Sequence, residues 1–300
     1  MPAPSDSRPE GELPRRPLGP GDEWVHLPDG RRFWGRFGAA GLLVASPAGV
    51  LLQHRAGYSH FGGTWGLPGG ARHPDETAVE AACREAEEEA GVPRPALTVR
   101  FTSRLELGQW SYTTVGATAS SAFPPVIGDG ESTELRWVPA AEVDALPLHP
   151  GFAAAWPALR DLLEVRPVLL VDGANVVGSR PDGWWQDRAG AAARLLARLE
   201  LLAAQGVPAG LLGLPQERWW PEVRLVVEGQ ANALQADGDR IEVVRAPRDG
   251  DATIAELASS LGTAATVVTA DRGLRDRVTA AGARAVGPGA LLDLIDALPG

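Results

Sequence analysis

The sequence predicts an α/β protein of two domains in series. Three observations support this: the length of the chain, a change of rhythm near residue 166, and a helix whose two ends are both marked. With 300 residues, 44% of them apolar, the chain can build two cores of ordinary size. Up to residue 163, short strand-like runs separated by turn residues surround one strong helical stretch. After Arg166 and Pro167, apolar runs alternate with helical periods, the βαβ rhythm of a mostly parallel sheet. We therefore place a loose arm at 1–21, a first domain at 22–164 and a second at 165–300.

The arm is rich in Pro, Gly, Ser and charge and has no apolar period, so burial cannot offset the entropy of ordering it. Runs at 31–35, 38–45 and 50–55 have strand character and lead into a glycine-rich loop at 61–70. Thr77 with Glu80 three residues on forms a capping box, the body that follows is alanine-rich, and Gly91 suits the left-handed position past a helix end. Strands follow at 97–107, 111–119 and 134–138, with a Pro/Gly loop at 123–130, and a helix at 150–163 closes this half. In the second half, strands are predicted at 168–171, 224–227, 241–244 and 266–269, and helices at 188–204, 252–261, 272–281 and 290–298, giving a small doubly wound, Rossmann-like sheet.

Composition excludes several functions. The single cysteine, Cys83, permits no internal disulfide framework, and no leader-like segment opens the chain, so a reducing cytoplasm is expected. No apolar run approaches the roughly 20 residues that span a bilayer, so no membrane role is expected. A net charge of -10 disfavours broad electrostatic capture of polynucleotide, so any RNA contact has to be local. Every basic side chain is arginine, which excludes Schiff-base lysine chemistry.

The strongest chemical signal runs from Gly70 through Glu76 and, after seven residues, Arg84-Glu85-Ala86-Glu87-Glu88-Glu89-Ala90-Gly91-Val92. On a helical period Val79, Ala82, Cys83, Ala86 and Ala90 share an apolar face, Glu85, Glu88 and Glu89 flank it, and Glu87 projects to the other side. Three glutamates at i, i+3 and i+4 repel one another unless a hard divalent cation takes their oxygens. A glutamate run usually means a solvated face, but seven fixed identities at set spacings point to a mechanistic motif instead.

This segment, with Leu51-Leu-Gln-His-Arg55 before it and Trp65-Gly-Leu-Pro-Gly-Gly70 leading in, resembles the Nudix hydrolases, and the resemblance spans residues 23–163. It implies an α/β/α sandwich that binds Mg²⁺, or Mn²⁺ in its place, through Glu85, Glu88 and Glu89 with the Gly69 carbonyl. Arg84 would orient the catalytic glutamate and Glu76 would support the cluster. The implied substrates are nucleotides with a phosphoanhydride, and the flanking pattern is similar to members that clean the (d)NTP pool of oxidised dGTP. Family members also use a glutamate from a loop after the motif, where Glu131 and Glu134 stand in this chain. Arg55, Trp110 and Tyr112 are candidate substrate contacts, although an aromatic on a strand serves equally as core.

A second group of polar residues lies in the C-terminal half. Asp172-Gly-Ala-Asn175 ends one apolar strand, Asp271 follows another, and Asp251 opens a helix. The carboxyl edge of an open α/β sheet is where ligands bind, and three carboxylates with an amide can hold a divalent cation. Asp is also a favoured helix N-cap, which by itself accounts for Asp251 and Asp271. The two segments resemble the NYN/PIN-like nuclease superfamily, which implies Mg²⁺ or Mn²⁺ and RNA cleavage; the chain departs from that pattern at Arg248 and Gly273. The rival to a nucleotide hydrolase is thus an RNA-binding or RNA-cleaving protein with an accessory Nudix domain. The pairs Trp184-Trp185 and Trp219-Trp220 are read as base-stacking groups or as buried anchors.

Overall fold

The computed structural model describes residues 19–180, 184–235, 238 and 240–298. Residues 1–18, most of the expected arm, lie outside the described residues, as does the Trp184 side chain. The chain divides into two compact units, Met1–Leu163 and Glu164–Gly300. Among the described residues no helix is long and apolar enough to cross a membrane.

In the first unit, β1 (Trp24–His26) and β2 (Arg32–Trp34) form a small antiparallel ribbon. There follow β3 (Ala39–Ser46), β4 (Gly49–Arg55), β5 (Trp65–Gly66), β6 (Gly69–Ala71), α1 (Ala78–Ala90), β7 (Leu97–Leu107), β8 (Trp110–Ala119), β9 (Ser132–Val138) and α2 (Pro150–Leu162). Strand β3 is central: β8 runs parallel to it, while β4 and β6 are antiparallel. Strand β7 folds back on β8, and β9 and β5 both pair with β4.

Side-chain alternation along β3 assigns its two faces. Ala40, Leu42 and Val44 pack with Ala82, Cys83, Ala86 and Ala90 of α1, while Leu43, of opposite parity, is equally buried, so both faces of the sheet are covered. The ends of α1 are firmly specified. The Thr77 hydroxyl accepts the Glu80 N–H, the Glu80 carboxylate accepts the Thr77 N–H, and Gly91 closes the helix at φ 63°.

The second unit runs β10 (Val168–Asp172), α3 (Gly173–Gly178), α4 (Arg188–Gln205), β11 (Val207–Pro208), α5 (Ala209–Leu212), β12 (Arg218–Trp219), β13 (Glu222–Val227), β14 (Ile241–Arg245), α6 (Gly250–Leu261), β15 (Ala265–Val268), α7 (Arg272–Ala280), β16 (Arg284–Val286) and α8 (Pro288–Asp296). An all-parallel sheet has the order β14-β13-β10-β15-β16. Every residue of β10 is buried, as a strand covered on both faces requires. From β10 the chain proceeds outward through β13 and β14 on one side, then returns to lay β15 and β16 on the other. The carboxyl ends of β10 and β15 therefore flank the switch point at which open α/β sheets form a crevice.

Two helices begin earlier than the apolar pattern predicts. α6 starts at Gly250 because Asp249 caps it, and α8 starts at Pro288, a residue already set for the first helical turn. The short edge strand β16 was not expected from sequence, because only three residues of it pair.

Candidate functional site

In the first unit, Arg84 is the centre of a charged network on α1. Its guanidinium donates to Glu76 through two parallel bonds, Nε to Oε1 at 2.7 Å and Nη2 to Oε2 at 2.8 Å. It also donates to the Ala71 carbonyl at 3.1 Å and to Glu85 Oε1 at 2.7 Å, and approaches Glu88 Oε2 at 3.4 Å. A bidentate fork of this kind fixes geometry as well as charge. Burial works against the Glu76 anion, but the Arg84 fork and the His73 N–H together hold its carboxyl below the ordinary value.

Glu85 and Glu89, one helical turn apart, are buried at 6% and 4% exposure and face the turn that carries Gly69 and Gly70. Glu89 Oε2 accepts the Gly69 N–H at 2.9 Å. A Cβ on Gly70 would lie 2.8 Å from the Glu85 carboxyl carbon, so only glycine allows this approach. Burial pushes the Glu89 pKa well above the usual carboxylate range; the charge of Glu85 adds to the shift, the Gly69 N–H opposes it, and Asp129 and Glu131 raise it further. These oxygen donors are hard and crowded, which suits a hard divalent cation.

The sequence reading has Glu85, Glu88 and Glu89 turn their oxygens to one point, yet Glu85 turns to Arg84, Glu89 to the Gly69 amide, and the Glu88 side chain is 40% exposed. Among the described residues, no three His, Cys, Asp or Glu side chains close on a single ion position. The physical reason is Arg84, a fixed positive charge to which Glu85 is already bonded.

Of the two loop glutamates, Glu131 is partly buried and lies within electrostatic reach of Asp129 and Glu85. Its pKa is raised by burial and by Asp129, with Arg55 opposing and Glu85 adding to the rise. Glu134 is exposed on β9, next to Arg136. Sequence reasoning missed Asp129 and Gln53. Gln53 is fully buried, donates to the Leu67 carbonyl at 3.2 Å and accepts from the Ser132 hydroxyl at 2.9 Å, tying β4 to both flanking loops. A glutamine facing inward among the leucines of β4 was the available signal.

Of the candidate substrate contacts, Arg55 lies within electrostatic reach of Glu131 and Tyr112 within that of Glu89, whereas Trp110 packs elsewhere. Burial pushes the Tyr112 phenol up to about 12, Arg55 opposes that shift and Glu89 adds to it. Trp110 is 7% exposed, stacks on Phe33 with centroids 4.4 Å apart and donates its indole N–H to the Trp34 carbonyl. It is therefore an anchor beneath β1 and β2 and offers no free face to a base.

In the second unit, Asp172, Asn175, Asp251 and Asp271 line one cavity of about 450 Å³ at the switch point. Asp172 is buried and accepts from the Asn175 amide at 3.0 Å and the Thr269 hydroxyl at 2.8 Å. Asn175 Oδ1 in turn accepts the Ala270 N–H at 2.7 Å. Asp271 caps α7, but Asp251 does not cap α6; that role belongs to Asp249, and Asp251 pairs with Arg277 at 3.3 Å. Burial raises the pKa of Asp172, and it also raises that of Asp251, where Asp271 adds its charge. A further acid lines the cavity, Glu228, just past the end of β13, whose Oε2 accepts the Gly250 N–H at 2.7 Å. Its position immediately after an apolar strand was legible in principle. Trp219 is fully buried, its indole bonded to the Pro215 carbonyl, so it serves as an anchor.

Residues 35–162 match the NUDIX domain family. A Mycobacterium tuberculosis protein whose name, an inferred one, is 8-oxo-dGTP diphosphatase 3 is 48% identical over 165 residues, covering 51% of this chain and 76% of that protein. A Bifidobacterium longum protein named as a nucleoside triphosphate pyrophosphatase/Nudix hydrolase fusion is 40% identical over 147 residues, covering 46% of this chain and 30% of its own length. Among solved structures, a Nudix hydrolase from M. smegmatis, RenU, is 52% identical and covers 47% of this chain and 94% of that one, with a TM-score of 0.44.

Proposed function

We propose, from the premise that this chain belongs to the Nudix hydrolase family through its N-terminal unit, that it is a Mg²⁺-dependent pyrophosphohydrolase of nucleoside diphosphate-linked substrates, with (d)NTPs and oxidised dGTP as the preferred class. The observation that carries this reading is the pair of buried carboxylates, Glu85 and Glu89, set against the Gly69-Gly70 turn. Glu85, Glu88 and Glu89, with the Gly69 carbonyl, would hold the ion, and Mn²⁺ would substitute. When bound, such an ion stabilises charge on the bridging and leaving oxygens of a phosphoanhydride. Arg84 and Glu76 keep α1 aligned with the turn. Glu131, held above the usual carboxylate pKa by burial and by Asp129, would accept the proton from the attacking water. Arg55 and Tyr112 border the substrate. The name of the M. tuberculosis relative favours oxidised dGTP within this class.

The test is a panel of nucleoside triphosphates, including 8-oxo-dGTP, incubated with the full chain and its Glu88→Gln and Asp172→Asn variants, with and without Mg²⁺. The expected result is Mg²⁺-dependent hydrolysis that is lost in Glu88→Gln and retained in Asp172→Asn. Loss in Asp172→Asn alone would move the chemistry to the second unit.

A second reading has its own observation. The cavity at the switch point of the parallel sheet is lined by Asp172, Glu228, Asp251 and Asp271, which suits a PIN-like domain that binds Mg²⁺ or Mn²⁺ and cuts RNA. Labelled single-stranded RNA with Mn²⁺ tests it. Cleavage lost in Asp172→Asn supports this reading, and no cleavage by the parent chain rejects it.

A further inference from the structure

The last carbonyls of an α-helix have no partner within the helix. At the end of α1, Gly91 N–H serves the Glu87 carbonyl at 3.0 Å, Gly128 N–H serves that of Glu89 at 3.0 Å, and Val126 N–H serves that of Ala90 at 3.1 Å. The loop between β8 and β9 thus caps the glutamate helix and takes its position from it. Gly128 is required for this contact, since a Cβ there would lie 1.7 Å from the Glu88 carbonyl oxygen.

Beyond that contact the chain turns sharply. Asp129 is buried at 8% exposure, and its Oδ1 accepts the Glu131 N–H at 2.9 Å, an Asx-type turn. The Glu131 carbonyl accepts the Ala56 N–H at 2.7 Å, and the Tyr58 hydroxyl donates to the Gly130 carbonyl. Ser132 then continues through Gln53 to the Leu67 carbonyl, two residues before Gly69. Residues 128–132 are therefore clamped to α1, which carries the proposed hydrolytic carboxylates, on one side and, through Gln53 and the Leu67 carbonyl, to the segment leading into the Gly69 turn on the other.

We propose that Asp129 is a positioning residue for hydrolysis: its side-chain oxygen folds residues 129–131 into the turn that holds the Glu131 carboxylate beside Glu85 and Glu89. This rests on the hydrolase reading of the first unit and adds to it a residue that in sequence, between Gly128 and Gly130, has the look of an ordinary turn. Asparagine keeps the accepting oxygen, whereas alanine removes it.

The experiment is steady-state hydrolysis of the best nucleotide substrate by the full chain and by Asp129→Ala, Asp129→Asn, Glu131→Gln and the Asp129→Ala/Glu131→Gln double variant. Asp129→Ala is expected to lower kcat roughly 10- to 100-fold, within the usual span for a misplaced proton-transfer group, with KM nearly unmoved. Asp129→Asn should restore most of the loss, and the double variant should be no slower than Glu131→Gln alone, because Asp129 acts through Glu131. Additive losses, or Asp129→Ala at the parent kcat, would overturn the assignment. A parent chain that hydrolyses no nucleotide takes the hydrolase reading down with it, a different failure from parent activity that is indifferent to Asp129.

Discussion

The two units both collect acids, but they do so by opposite routes. The first takes Glu85, Glu88 and Glu89 from successive positions of one helix and sets Arg84 among them. The second takes Asp172 from β10, Glu228 from the end of β13, Asp251 from the first turn of α6 and Asp271 from the cap of α7. Acids on one helix keep their spacing whatever the rest of the chain does. Acids from four segments meet only when the whole parallel sheet is in register. A charged helix therefore needs its own countercharge to fold, while an assembled crevice can rely on backbone amides, as Asp172 does through Asn175 and Glu228 through Gly250.

The largest expected effect tests whether chemistry belongs to the helix-borne set. Glu89→Gln should reduce nucleotide hydrolysis by at least ~100-fold. Its thermal midpoint should hold or rise, because an amide ends the burial of a charge beside Glu85. Activity retained together with lost stability would make Glu89 a structural residue.

The countercharges come next. Arg84→Ala strands Glu76 and Glu85 and should cost roughly 3 kcal/mol in urea unfolding. Arg277→Ala, which breaks a pair with side chains 48% and 39% exposed, should cost no more than about 0.5 kcal/mol. Equal costs would erase the contrast between the units.

The pH dependence of stability has opposite signs at two groups shifted by burial, one in each unit. In the first, burial, aided by Arg55 and His60, pushes His149 down to about 4 from 6.5, so the unfolded chain binds the proton more readily. This contribution is present above pH 6.5 and is lost as pH falls towards 4. In the second, burial raises Asp172 above 3.8, so its contribution is largest in acid and is lost as pH rises through the raised value. His149→Asn, which keeps an acceptor for the Gly151 N–H, should flatten the acid limb, and Asp172→Asn should flatten the opposite one. Denaturant midpoints measured from pH 4 to 8 check both, and parallel curves for parent and variants would contradict them.

The smallest effect is local. Thr77→Ala removes one half of the capping box and should cost about 1 kcal/mol, read in the same unfolding assay.

What the sequence disclosed follows the same division. Thr77, Glu80 and Gly91 specify α1 through local chemistry, and the structure has both caps. The β10 strand was plain because a run buried on both faces is continuously apolar. Asp129 was hidden because its local bond to the Glu131 amide looks like any turn, and Gln53 showed an inward amide but not its distant partner, the Ser132 hydroxyl. Glu228 was legible as an acid at the end of an apolar strand, but nothing within β13 indicates that this strand pairs with β10. Trp110 was left between substrate contact and core because alternation places a side chain on a face of the sheet but does not say that the β1–β2 ribbon covers that face.

The central claim is that the carboxylates of α1, beside the Gly69 turn, form the ion-dependent hydrolytic centre. Its most direct test is the rate of nucleotide hydrolysis against Mg²⁺ concentration for the full chain and for Glu85→Gln. The account predicts a saturable dependence, abolished by EDTA, with half-saturation moved at least ~10-fold higher when Glu85 is neutralised. A rate indifferent to EDTA, or a half-saturation unmoved by Glu85→Gln, would contradict it.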